Sequence, residues 1–312
     1  MRTDLNTLTF GIEIECTIPD ASMREQGWTI GQYHVGADIA GHPGWKTMHD
    51  GSIQARYPNV GVEVVSPILR GLDGLQQIET MVAKLMAMGA HVNRSTGFHV
   101  HVGWGGNVEQ LRRLICFVAF HEKALFASTG TRSREHNQFC SSIKARYQQL
   151  QALTSESEIL YAGISRYHVL NLRNLNNANT GKRTVEFRVF AGTLNIVKML
   201  SYVQLCLGIV SKALDNHRKA LPWDAPMKTR QDVGDGLWAM RVLLTHLHWR
   251  KAVRPGRCSA GVLNVELMPK MLRALNGMAK QYDNPDGTRR PRRSRVAAAP
   301  TVATVAADRF GI

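Results

Sequence analysis

The 312-residue sequence has no C-x-x-C pair; its five cysteines, Cys16, Cys116, Cys140, Cys206 and Cys258, stand singly. Zinc ribbons, redox motifs and disulfide frameworks depend on paired spacing, so none is expected, and a reducing, cytoplasmic setting is. No charged-then-apolar leader with a small-residue cleavage site opens the sequence. No uninterrupted apolar run reaches the roughly 20 residues of a spanning helix. Leu114 to Leu125 is broken by His121, Glu122 and Lys123, so no membrane association is expected. The glycine runs Gly103-Trp104-Gly105-Gly106 and Gly71-Leu72-Asp73-Gly74 match neither the P-loop nor the dinucleotide fingerprint and read as turns. Acidic residues are also scarce, 24 against 39 lysines and arginines, for a formal charge of +15. That charge points to an anionic partner without choosing among nucleic acid, an anionic surface, and a phosphorylated or carboxylated substrate.

What is present is a 44% hydrophobic chain, enough for a packed core. Part of the charge lies in Arg289, Arg290, Arg292, Arg293 and Arg295, among Pro285, Pro291, Pro300 and an alanine-rich run. Residues 283–312 therefore read as a disordered basic tail, with too few apolar groups to offset the ordering entropy. Residues 1–282 read as one catalytic domain, helical from 215 onward. Apolar periodicity predicts helices over Leu72 to Met88, Val108 to Ser128 with Asn107 as N-cap, and Ile196 to Leu214. A short helix is expected from Phe139 to Leu153, and two more around Gly234 to Trp249 and Asn264 to Tyr282. Short strands with one polar face, interleaved with amphipathic helices, argue for an α+β fold with a mostly antiparallel sheet covered on one side.

Those strands carry the chemistry. Phe10 to Cys16, FGIEIEC, spaces Glu13 and Glu15 by two; TGFHVHV, Thr96 to Val102, does the same for His99 and His101; TVEFRVF, Thr184 to Phe190, for Glu186 and Arg188. Val62 to Ser66 carries Glu63, and Tyr167 to Leu172 reads as a strand with Asn171 near its end. Side chains alternate faces along a strand, so each pair projects together while its apolar neighbours pack on the other side. Taken singly, these are ordinary: an outer sheet face is often charged, strand histidines bond to neighbours, and surface ion pairs contribute little. Taken together, they place carboxylates, imidazoles and a guanidinium on one face. Like charges there repel unless a cation lies between them, and Mg²⁺ or Mn²⁺ accepts such oxygens readily. Zinc is the weaker choice, since no cysteine accompanies the histidines. The arginine fork suits phosphate or carboxylate oxygens. Lys182-Arg183, Arg112-Arg113 and Arg24 read as isolated surface spots, and Cys140 beside His136 as an ordinary buried thiol.

In order and spacing, FGIEIE at Phe10, DGSI at Asp50, GVEVVSPIL at Gly61, TGFHVHVG at Thr96, YHVLNL at Tyr167 and TVEFRVFAGTLN at Thr184 resemble the amidoligases, carboxylate-amine ligases related to glutamine synthetase and glutamate-cysteine ligase. The resemblance covers about Leu8 to Leu214. It implies a glutamine synthetase-like catalytic domain, a curved sheet whose concave face holds ATP and two or more divalent ions. It also implies amide formation through an acyl phosphate between a carboxylate and an amine substrate, on an amino acid, peptide or protein. Position by position, Glu15 and Glu63 look like ligands of the ion near the carboxylate, with Asp50 the best candidate for a further one. Glu13, His99 and Glu186 look like ligands of the ion bridging the ATP phosphates, His101 contacts phosphate, and Arg188 stabilises the transferring phosphoryl group. Asn171 and the Arg132/Arg134 loop are candidate substrate contacts, and no general base is identified. The rival readings are a metal-dependent amide hydrolase using the same residues on water, and a nucleic-acid-binding protein acting through its basic tail.

Overall fold

The alternating strands assemble as their patterns require. A computed structural model describes residues 7–160, 165–176, 183–215, 235–249 and 267–284. Its strands are β1 (Thr9–Pro19), β2 (Ala37–Asp38), β3 (Lys46–Met48), β4 (Asn59–Val65), β5 (Leu69–Arg70), β6 (Gly97–Gly103), β7 (Leu170–Asn171) and β8 (Thr184–Ala191). They form one sheet in the order β2-β3-β4-β1-β6-β8-β7, with β5 paired to the start of β1. Every pairing between these strands is antiparallel. The most polar strand thus lies inside the sheet, with Glu63 on one neighbour and the histidines on the other.

One face is apolar. Phe10, Ile12 and Ile14 of β1, Phe98, Val100 and Val102 of β6, and Val185 and Phe187 of β8 are all buried. Each contributes on the order of 1.5–3 kcal/mol by leaving water. Helices α2 (Gly71–Ala87), α3 (Val108–Ala127) and α5 (Ile196–Leu214) cover this side, α5 lying against β6 and α3 against β8. Tyr202 of α5 stacks on Phe190 with ring centroids 4.2 Å apart and lies 6.0 Å from Phe98. By length and hydropathy α5 could cross a membrane, but 78% of its apolar window is buried in this core. Two short helices complete this part of the chain, α1 (Asp20–Glu25) before α2 and α4 (Tyr147–Gln151) between α3 and α5.

The expected helices form with local differences. Leu72 and Met86, read as part of the apolar stripe of α2, are exposed, and the buried stripe runs through Leu75, Ile78, Met81, Val82 and Leu85. Gly89 ends the segment at φ +75°, a conformation glycine adopts without steric cost. The expected helix from Phe139 to Leu153 is only a 3₁₀ turn, Lys144–Arg146, followed by α4. The strand expected from Tyr167 to Leu172 shortens to β7, its earlier part bridging Ser141 through His168. Helices α6 (Gly236–His246) and α7 (Met268–Asp283) pack against α3 and against each other, and α7 also against α5. The Asp283 carboxylate accepts the Gly236 and Leu237 N–H groups at 2.6 and 2.9 Å, tying the end of α7 to the start of α6. The basic tail read from the sequence lies, beyond Asn284, outside the described residues.

The sheet also curls. Gly31, two residues before Tyr33, pairs with β3, and Arg166 precedes β7, so the two side chains come from opposite ends of the strand order. In a flat sheet β3 and β7 would stand about 24 Å apart at a spacing of roughly 4.8 Å per strand. Instead the Arg166 guanidinium carbon sits 5.3 Å from the Tyr33 ring centroid and 5.2 Å from that of Tyr167. The edges reach toward each other over the polar face, making it the concave one.

Asn107 caps α3 in a reciprocal box: its side chain accepts the Gln110 N–H at 2.9 Å, and the Gln110 side chain accepts the Asn107 N–H at 2.9 Å. We expect Asn107→Ala to cost about 1 kcal/mol of stability, read as a lowered urea midpoint at unchanged slope.

Candidate functional site

Strand register alone brings the polar residues into adjacent rows. Glu15 lies opposite Glu63 across β1 and β4, Glu13 opposite His99 across β1 and β6, His101 opposite Glu186 across β6 and β8, and Glu186 opposite Asn171 across β8 and β7. The β6–β8 ladder shifts between Phe98 and Val100, so β8 carries an extra residue opposite His99. Such a bulge re-aims side chains, and here Arg188 Nη1 comes to 3.5 Å from His99 Nδ1. No periodicity in the sequence signals that shift.

Glu13 joins both histidines: its carboxylate oxygens lie 2.8 Å from His99 Nδ1 and 2.8 Å from His101 Nε2. The other ring nitrogen of His99 faces Glu15 at 3.4 Å. Glu15 also accepts the Gly97 N–H at 2.5 Å. Glu186 is held from two sides, by Arg188 Nη1 at 2.5 Å and by the Asn171 amide, which donates at 2.6 Å. Glu15, Glu63, His99, Asn171, Glu186 and Arg188 are all buried. Burying ionised groups is costly unless they are paired. Arg188 Nε nevertheless has no hydrogen-bond partner among the described residues.

The electrostatics are divided. Burial pushes Glu63 up, and Glu13, Glu15 and Asp50 push it further, to about 11, so its carboxyl keeps its proton at neutral pH. Burial also acts upward on Glu13, but the two histidines, His101 above all, hold its carboxylate well below the usual range. Burial opposes charge on His101, yet Glu13 and Glu186 raise it to about 9. Burial likewise works against the charge of Arg188, and Glu186 and Glu13 more than restore it, raising its pKa above the usual value. The face therefore has protonated groups at His101 and Glu63 and a carboxylate-rich centre between them.

Two groups of ligand atoms lie close enough to hold ions: Glu13, His99 and Glu186, and Glu15, Glu63 and His99, the atoms of each within 4.8 Å of one another. This mix of carboxylate oxygens and one imidazole fits hard divalent ions. Glu15 with Glu63, and Glu13 with His99 and Glu186, are the two ligand sets that the family resemblance implies; His99 lies in both groups here, and Asp50 in neither. Above this floor opens a cleft of about 1330 Å³, lined by Glu13, Asp50, Glu63, His101, Asn171 and Arg188 among others. Asp50 thus shares the cleft with Glu63.

Other residues singled out by the sequence pattern fall elsewhere. Arg132 turns away, its guanidinium 5.0 Å from the Tyr282 ring centroid. Arg134 is buried and donates at 2.6 Å to the Arg188 carbonyl, so this loop residue braces the strand that bears Arg188. Burial lifts the Cys140 thiol to about 11, which leaves little thiolate for a nucleophile. Arg183, read from the sequence as a surface spot, lines the cleft while pairing with Glu156 at 2.9 Å, and Arg166 and Arg173 line it too. The linear pattern marks Arg183 only as a basic spot and does not mark Arg166 or Arg173, because chain folding rather than strand alternation brings them to the rim.

The sequence matches the protein family described as "Putative amidoligase enzyme" over residues 6–210. Among solved structures it is similar to the complex between the prokaryotic ubiquitin-like protein Pup and its ligase PafA. That similarity has 12% identity and a TM-score of 0.44, and covers 91% of this chain and 66% of that one. The chain therefore spans slightly less than two thirds of that relative. Comparison with curated protein sequences gives no match.

A carboxyl that keeps its proton must release it to become a ligand, so ion affinity should rise with pH. We expect Mn²⁺ binding near pH 7 to release about one proton through Glu63, measured by titration calorimetry in buffers of different ionisation enthalpy. Glu63→Gln should bind Mn²⁺ more weakly and lose that release.

Proposed function

The chain belongs to the amidoligase family, and from that membership and the site geometry we propose that it is an ATP- and Mg²⁺-dependent carboxylate-amine ligase. The observation that carries the reading is the pair of ion-ligand groups sharing His99 on one concave face, with Arg188 beside them. In this reading Glu15 and Glu63, with Asp50 nearby, would hold one ion, and Glu13, His99 and Glu186 would hold the other. Bound Mg²⁺ or Mn²⁺ neutralises phosphate charge and polarises the phosphoryl oxygens.

The protein's own groups then position and balance charge, which is most of what phosphoryl transfer requires. The substrate carboxylate oxygen attacks the γ-phosphorus and the bond to ADP breaks, giving an acyl phosphate and ADP. Arg188, fixed by Glu186 and braced at its carbonyl by Arg134, offers its remaining donors to the phosphoryl group in transfer. Protonated His101 faces the phosphates at the other side of Glu13. Asn171 donates to Glu186 and fixes the direction of a carboxylate that would hold an ion. The amine nitrogen next attacks the acyl carbon, phosphate leaves, and the amine's proton passes to a base. The substrates are an amino acid, peptide or protein acid and an amine, handled in the cytoplasm.

Incubation with ATP, Mg²⁺ and pools of acids and amines tests this. ADP release that requires both an acid and an amine supports the ligase; amide cleavage without ATP contradicts it and favours a hydrolase. We expect Glu15→Gln and Glu186→Gln each to abolish nucleotide turnover with unchanged circular dichroism, and wild-type turnover in either would remove these roles.

A further inference from the structure

The turn that carries Arg134 is gripped from outside the site. It lies in the loop after α3, and the Glu135 N–H closes it on the Arg132 carbonyl at 3.1 Å, with Arg134 at its third position. Arg132 and Glu135, the two ends of the turn, both reach Tyr282 on α7. The Arg132 guanidinium carbon lies 5.0 Å from the Tyr282 ring centroid, its Nε donates to the Tyr282 carbonyl at 3.4 Å, and the Tyr282 hydroxyl donates to Glu135 at 2.7 Å. Burial and the Glu135 carboxylate push that hydroxyl above its usual range, so it keeps its proton and remains a donor. The ring has a fixed seat: Tyr282 is only 2% exposed, and a Cβ on Gly236, at the start of α6, would lie 2.7 Å from it.

Arg134, held between those ends, reaches the sheet. Its Nη2 donates to the Arg188 carbonyl at 2.6 Å. It also adjoins Glu15: a Cβ on Gly97 would lie 3.4 Å from Arg134 Nη2, 3.4 Å from a Glu15 carboxylate oxygen and 2.9 Å from His99 Nε2. Only glycine leaves room where these three groups meet. Arg134 Nε has no hydrogen-bond partner among the described residues, so the backbone turn, more than the side chain's own bonds, sets where the guanidinium lies. The family match ends at residue 210, and α7 is therefore a support that this chain supplies from outside the matched segment.

We propose that Tyr282 is a positioning residue: by holding Arg132 and Glu135 it fixes the turn that sets Arg134 against the Arg188 carbonyl and beside Glu15, so that α7 governs the alignment of Arg188. The inference rests on the ligase reading, in which Arg188 meets the phosphoryl group in transfer. Tyr282 is not among the residues lining the cleft, so its effect passes through the turn. Misplacing a reacting group by about 1 Å, through a change far from the chemistry, costs on the order of a hundredfold in rate. An interaction made mainly in the transition state is the one such loosening weakens, and ground-state binding is spared.

Binding of ADP with Mg²⁺, with and without aluminium fluoride, tests this and needs neither the acid nor the amine. Aluminium fluoride takes the place of the phosphoryl group in transfer and should tighten wild-type binding roughly a hundredfold or more. Tyr282→Phe keeps the ring and removes the hydroxyl; we expect it to lose about tenfold of that gain, with binding of ADP alone within about twofold of wild type. Glu135→Ala, a loop substitution at the other end of the same bond, should lose the same factor, and the double variant no more than either single one. Glu135→Gln, which keeps an acceptor for the hydroxyl, should recover most of the gain. A full wild-type gain in both Tyr282→Phe and Glu135→Ala overturns the positioning role and leaves the ligase reading standing. So does a weakening of ADP and of its aluminium fluoride complex by one common factor, the mark of a purely structural residue. A wild type that binds ADP with no gain from aluminium fluoride overturns the alignment of Arg188 and the role of Tyr282 together. A wild type that does not bind ADP overturns the ligase reading and this inference with it.

Discussion

The structure turns on Glu15 facing Glu63 across two adjacent strands, both buried. Directly opposed like charges destabilise a strand pair; at about 5 Å and an effective dielectric near 20 the repulsion is about 3 kcal/mol. Both carboxylates are nearly shielded from water although Glu63 lines the cleft, because β1 lies inside the sheet and the sheet edges curl over its polar face. The tension is relieved by a proton on Glu63, by the Gly97 N–H on Glu15 and by His99, which touches Glu15 with one nitrogen and Glu13 with the other. A stable fold would not select this arrangement for its own sake, since apolar residues at these positions would pack at lower cost. Under the proposed function, a pair of divalent ions is what these carboxylates would serve.

From that constraint the surrounding features follow. His99 must reach both groups of ligands, and the bulge in β8 brings Arg188 against it rather than against His101. Glu186 must hold one direction, so Asn171 from the edge strand and Arg188 from its own strand grip it from two sides. The curl of the sheet, closed where Arg166 lies over Tyr33, places the cationic rim within reach of the acidic floor.

Strand alternation made the floor readable in advance. A period of two in FGIEIEC, TGFHVHV and TVEFRVF puts each pair on one face whatever the neighbouring strand turns out to be, and the apolar residues between them name the core. Alternation says nothing, however, about which strands are neighbours, how a ladder slips, or which loops overhang it. The shared position of His99, the support that Arg134 gives to Arg188, and the rim formed by Arg166, Arg173 and Arg183 therefore emerged only with tertiary structure. The same limit explains Arg132, which seemed equivalent to Arg134 in the loop yet turns to Tyr282. The segments that shortened, around α4 and β7, lack strong periodicity, and their conformation is set by what they pack against.

The proposed function requires two ions divided by one imidazole. Anomalous diffraction from crystals grown with Mn²⁺ and a non-hydrolysable ATP analogue tests this most directly. Two manganese peaks are expected, one among Glu13, His99 and Glu186 and the other among Glu15, Glu63 and His99. Manganese bound away from these carboxylates, or none at the concave face, would contradict it.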